Sequence, residues 1–219
     1  MSQKEVAELP QRLISTGAFV HMTDDTLGLS DEFTKTRAAI KRSIDAEVTA
    51  VLPPELAELE LPTRVLADAG ALLEFEPSLG VEAAVTTAWS LPMFDQSVPT
   101  AGVPEGFIPI RYEEIRPFVE QFPATALYFW REDCDPCDLV RDDLEVLVDE
   151  GGFPEWMGRA AMYGTDCAAE LSAEFDVGGA PTLLFWVGDS IDCRFVGTKA
   201  RETLAREIQT VAEQAEKRR

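Results

Sequence analysis

Two cysteines, Cys134 and Cys137, stand two residues apart in the stretch FWREDCDPCDLVRDDLEVLV. A C-x-x-C of this kind supports dithiol–disulfide exchange, or half of a tetrahedral zinc site, or nothing when the thiols are merely buried. The surroundings are acidic: Asp133, Asp135 and Asp138 adjoin the pair, with Glu132, Asp142 and Asp143 close by. A thiolate is an anion, so these acids are expected to raise the pKa of the Cys134 thiol. A helix start at the same place acts the other way. Free backbone N–H groups and the positive helix end favour a thiolate at Cys134. Pro136 suits the first turn because it has no N–H to lose. Two intervening residues carry Cys137 one turn inward. It can then attack a mixed disulfide held on Cys134 and release the reduced substrate. Cys134 is the expected nucleophile and Cys137 the expected resolving thiol.

The other candidate groups are few. A zinc site would need Cys167 and Cys193 as further thiolates, yet no second C-x-x-C is present. Both read as small buried hydrophobes, at a helix start and mid-strand; a regulatory disulfide stays open. His21 is the single histidine, which excludes a multi-histidine metal site and leaves no Cys–His pair nearby in sequence. The acidic runs contain no D-x-D-x-D-G calcium loop and read as solvated faces.

The elements that must position the pair follow from periodicity. After residue 106 the pattern is strand, helix, strand, helix, strand, helix, strand, strand, helix. FIPI is a short strand and RYEEIRPFVEQF a short helix. ATALYFW is apolar throughout, as a strand buried on both faces must be. Cys137, Val140, Leu144, Leu147 and Val148 share one face of the next helix. RAAMYGTD, PTLLFWV and DCRFV are strands, the last two joined at Gly188-Asp189. A terminal helix turns Leu204, Ile208 and Val211 inward. This order implies an α/β mixed sheet with helices on both faces.

Residues 1–100 read as an all-helical domain. A helix capped by Ser30 places Phe33, Ile40, Ile44, Val48 and Val51 at helical spacing up to Pro53-Pro54. TRVLADAGALLEF sets Val65, Leu66, Ala69, Leu72 and Leu73 on one side, and GVEAAVTTAW is a further helix. The first residues, up to about Gly17, make another, bent at Pro10. Pro and Gly mark a linker at 101–106, and 107–219 form the second domain. The role of the helical half stays open: a homo-oligomer interface, a lid over Cys134, or a docking module.

Composition bounds the partners. Aspartate and glutamate number 40 against 19 basic residues, a net charge of −21, so no nucleic-acid or anionic-membrane surface is expected. The acids are dispersed along the chain. Beside the plainer reading of a solubilising surface, this fits halophilic adaptation to molar salt, which screens self-repulsion within about 3 Å. With 46% hydrophobic residues the chain can bury a normal core. No run of 18 apolar residues is present. The start MSQKEVAELPQRLIS carries charges where a secretory signal needs an apolar core, so the expected location is cytoplasmic.

Three pieces resemble the thioredoxin family. FWREDCDPC is similar to its F-W-x-x-W-C-G-P-C, GGAPTLLFW to its G-x-P-T segment, and RFVGTKARETL to its glycine before the last helix, here Gly197. The resemblance covers about residues 107–215. It implies a thioredoxin-like fold and a redox-active disulfide serving thiol homeostasis in the cell. It also puts a cis-proline at Pro181 and makes Ala180 the residue that pairs with a substrate's extended chain. Trp130 reads first as an apolar strand residue, and the resemblance implies that it also flanks the active site. Substrates would be protein thiols and disulfides, recycled by an external reductant, with no organic cofactor and no metal. Four positions depart from the family. Tyr128 stands where a buried aspartate assists proton transfer to the inner cysteine. Asp133 replaces a tryptophan, Asp135 a glycine and Asp138 a lysine. The expected function is protein thiol–disulfide exchange with a retuned potential. The alternative is a non-catalytic adaptor on the same fold, with a structural zinc protein behind it.

Overall fold

The computed structural model describes residues 11–22, 27–47, 51–95, 97–164 and 167–218. The chain divides into two compact units, Met1–Ser97 and Val98–Arg219.

The first unit is helical. Its principal helices are α1 (Asp31–Asp45), α3 (Thr63–Phe75) and α4 (Val81–Ser90), with short helices α2 (Pro54–Ala57) and α5 (Pro92–Asp95). The Ser30 hydroxyl accepts from the Phe33 N–H and caps α1, and Asp31 and Glu32 occupy its first turn. The helix stops at Asp45, short of the expected Pro53, and Glu47 turns left-handed at φ 60°. Val48 lies outside the described residues, as does Pro10. Past the turn the helical spacing no longer applies: Val51 is exposed, and Leu52 is buried against Gly70 instead. Helix α3 is buried nearly all round, through Ala67, Ala69, Gly70 and Ala71 as well as Val65 and Leu72. Small residues on several sides let α1 and α4 both approach it, so one apolar stripe understated its burial. The expected all-helical unit also contains a small antiparallel ribbon, β1 (Phe19–His21) with β2 (Leu27–Leu29). Three-residue strands are too short to show a period of two. Phe94 stacks edge-on against Phe19 within this unit.

The second unit is the α/β sheet anticipated from the sequence. Its strands are β3 (Ile108–Pro109), β4 (Ala124–Trp130), β5 (Gly158–Tyr163), β6 (Thr182–Val187) and β7 (Ser190–Val196). They lie in the order β3-β5-β4-β6-β7. The first three are parallel and the last two antiparallel to their neighbours. This is the thioredoxin-like arrangement. Gly188 makes the β6–β7 turn at φ 62°, a conformation open to glycine. Alternation along β4 sorts its side chains. Ala124, Ala126, Tyr128 and Trp130 face the core shared with α7 (Asp135–Asp149) and the terminal helix α9 (Arg201–Arg218). Thr125, Leu127 and Phe129 take the opposite face by the same alternation. Short helices α6 (Ile115–Val119) and α8 (Ala168–Phe175) complete the unit.

Residues 98–106 do not hang between the units, as a linker at 101–106 would. They belong to the second one. Val98 and Val103 are buried, and Gly102 lies so flat on the Trp130 ring that a Cβ there would fall 2.2 Å from a ring carbon. The prolines and glycines of this stretch shape a packed strap, which composition alone cannot tell from a spacer.

Candidate active site: the Cys134–Cys137 pair

Strand β4 ends at Trp130 and helix α7 begins at Asp135, so Cys134 is the helix N-cap. Its sulfur accepts the Cys137 N–H at 3.2 Å. Its carbonyl accepts from the Cys137 and Asp138 N–H groups at 2.8 and 3.1 Å. The N–H groups orphaned at a helix start are thereby turned on Cys134, whose sulfur is where negative charge would develop. Pro136 sits in the first turn and gives up no hydrogen bond.

The two sulfurs are joined, 2.07 Å apart. Cys134 and Cys137 are both buried, 6% and 3% exposed. Asp133, before the pair, adopts φ 50°, which an aspartate tolerates better than most residues. Asp133, Asp135 and Asp138 are all exposed. Arg141 reaches both Asp138, at 2.9 Å, and Asp142, at 3.0 Å.

The residues singled out from the sequence converge here. The Ala180–Pro181 peptide bond is cis. The Ala180 carbonyl lies 3.9 Å from the Cys134 sulfur, and Ala180 is half-buried. The loop that carries it is tied down by the Thr182 hydroxyl on the Gly179 carbonyl at 2.7 Å, and by the Gly197 N–H on the Pro181 carbonyl at 2.9 Å. Trp130 is buried, tilted against Tyr163 at 5.1 Å, and lines a cavity of about 240 Å³ with Tyr128, Cys134, Cys137 and Asp138. A wider hollow of about 500 Å³ adjoins Ala180 and is lined by Phe129, Arg131, Leu171, Gly178 and Gly179.

Sequence reading missed two contributors. Ala101 and Gly102 line the smaller cavity. Their only signal was turn-type composition. Tyr128 stood out as a departure without a role of its own. Its hydroxyl donates to the Cys137 carbonyl at 2.8 Å.

The remaining cysteines stay apart from this arrangement and form no disulfide, Cys167 at the N-cap position of α8 and Cys193 on edge strand β7. Burial, with Glu207 beside it, pushes the Cys193 thiol up to about 11, unsuited to nucleophilic attack at neutral pH. Among the described residues no group of three or more His, Cys, Asp or Glu side chains is placed to hold a metal.

No protein-family model matches the chain. Its structure is similar to a mutant thioredoxin from Halobacterium salinarum NRC-1, at 19% identity over 47% of this chain and 89% of that one, TM-score 0.40. It is similar to thioredoxin f2 of Chlamydomonas reinhardtii, at 20% identity over 48% and 96%, TM-score 0.42. It is also similar to thioredoxin from Trypanosoma brucei brucei, at 14% identity over 53% and 99%, TM-score 0.43. Such distant likenesses say nothing of chemistry. The thioredoxin-like fold of Val98–Arg219 stands on its own strand order and on the cis-proline beside a C-x-x-C at a strand-to-helix junction.

Proposed function

We propose that this protein is a thiol–disulfide oxidoreductase that exchanges its Cys134–Cys137 dithiol or disulfide with protein substrates. The observation that carries this reading is the convergence on one sulfur. Cys134 caps a helix, is bonded to a partner one turn inward, and lies against the backbone edge of Ala180. A helix N-cap favours the thiolate, the partner supplies the resolving thiol, and the edge offers main-chain groups to an extended substrate.

In the reducing direction Cys134 thiolate attacks a substrate disulfide. One substrate sulfur leaves with the electron pair and takes up a proton. Cys137 then displaces the second substrate sulfur from Cys134. The Cys134–Cys137 disulfide remains, and an external dithiol reductant must return it to the dithiol. Asp133, Asp135 and Pro136 tune the pair, and Trp130 supports the floor beneath it. Aspartates in place of an aromatic and a glycine leave a charged rim around the sulfur instead of an apolar one.

The test is substrate trapping. Reduced Cys137→Ser leaves Cys134 able to attack but unable to let go, so with disulfide-bonded insulin it should accumulate mixed disulfides, released by dithiothreitol. Cys134→Ser should accumulate none, and wild-type protein should reduce insulin in molar KCl. An adaptor that uses the fold as a scaffold would show neither trapping nor turnover.

A further inference from the structure

Tyr128 stands beneath the pair from the central strand. Its ring is fully buried and fixed by register between Ala161 of β5 and Leu183 of β6. Its hydroxyl donates to the Cys137 carbonyl. A helical carbonyl has two lone pairs, so this bond adds to the helical ladder and ties the first turn of α7 to β4. Burial, opposed by nearby Arg141, pushes the phenol far above its ordinary value. The group is therefore a neutral donor at any working pH. Tyr128, Cys137 and Asp138 line the same cavity, whose volume of about 240 Å³ has room for several waters at roughly 30 Å³ each.

We propose that Tyr128 is the positioning residue of the resolving step: its hydroxyl holds the Cys137 backbone so that the Cys137 sulfur stays in line with Cys134, and the Cys137 proton passes to cavity water instead of to a buried side chain. The proposal rests on the exchange function above. In this step the Cys137 thiol gives its proton to water, and its sulfur forms a bond to the Cys134 sulfur. The bond from Cys134 to the substrate breaks, its electron pair leaving on the substrate sulfur, which takes up a proton. No other oxidant or reductant takes part.

A stopped-flow reaction of the reduced full-length protein carrying Cys167→Ser and Cys193→Ser, which leaves the pair as its only thiols, with equimolar 5,5′-dithiobis(2-nitrobenzoate) separates the two halves, and this protein is the parent called wild-type in this experiment. The first equivalent of thionitrobenzoate reports attack by Cys134, and the second reports resolution by Cys137. For Tyr128→Phe we expect an unchanged first phase and a second phase slowed about five-fold, the kinetic equivalent of one neutral hydrogen bond. In wild-type protein the second phase should follow a single ionisation between about pH 5.5 and 9, that of the thiol itself. An unchanged second phase in the variant, or equal slowing of both phases, overturns the positioning role. A second ionisation in the wild-type profile overturns the direct transfer to water, and this arm needs no variant to fold. A wild-type protein with a first phase and no second one contradicts the exchange function itself, so the two failures are distinguishable.

Discussion

Cys134 is held between two opposed fields. The Cys137 N–H points at its sulfur and favours the thiolate, while exposed Asp133 and Asp135 oppose it from the rim. Asp138 has Arg141 beside it, which offsets part of its charge. Replacing Asp133 and Asp135 together with asparagine should speed alkylation of the reduced protein by iodoacetamide at pH 7 and low salt, by roughly two- to ten-fold. The gain should shrink in molar KCl, where screening acts within about 3 Å. Equal rates for variant and parent at low salt would show that the rim charges do not reach the sulfur. At this scale the placement of Cys134, Pro136 and Cys137 at the start of α7 was legible, because that geometry is local to the chain. The contact of Tyr128 with the Cys137 carbonyl was not. It depends on how α7 lies across β4, which no local spacing encodes.

Among the helices of the first unit, a buried charge group does what apolar patterning does not. Asp68 on α3 is 2% exposed. It lies 3.3 Å from Arg64 and 3.7 Å from Arg37, and Arg37 also binds Asp95 on α5. Arg64 further donates to the Ala88 carbonyl at the end of α4. Burial raises the Asp68 carboxyl to about 6, against the pull of Arg64 and Arg37. For Asp95, burial is outweighed by hydrogen bonds from Arg37 and Ser97, and its carboxyl lies below the usual range. An acid raised on folding binds its proton more tightly in the folded state. Its stabilising contribution is full below the unfolded value near 4 and is lost as pH rises through about 6. The stability of wild-type protein relative to Asp68→Asn should therefore fall between pH 4 and pH 7, by on the order of 1–3 kcal/mol in urea unfolding of the full chain. A difference that is flat or rises with pH would contradict this reading of the group. The sequence showed Asp68 only as a polar interruption among alanines, since one partner, Arg37, comes from a different helix and the other, Arg64, from the previous turn of its own. The end of α1 was hidden for a related reason. Apolar spacing continues through Val48 and Val51, but a left-handed Glu47 hands the core position to Leu52.

The two units differ in how far sequence reached them. In Val98–Arg219 strands and helices alternate, β4 and β6 are apolar along their whole length, and short connections leave few ways to order the sheet. In Met1–Ser97 the helices were legible, while the ribbon of β1 and β2 and the all-round burial of α3 come from packing. No helix among the described residues is long and apolar enough to cross a membrane. The net charge of −21 is dispersed over the chain, and molar salt screens the repulsion among its acids. The central claim is that Cys134 and Cys137 cycle reversibly between disulfide and dithiol. It is tested most directly by a redox titration of the full-length protein against a thiol–disulfide buffer in molar KCl, with zinc assayed on the same sample. We expect one reversible two-electron transition that is lost in Cys134→Ser, without stoichiometric zinc. A pair that shows no transition, or thiols that hold zinc until the protein is denatured, would contradict the claim.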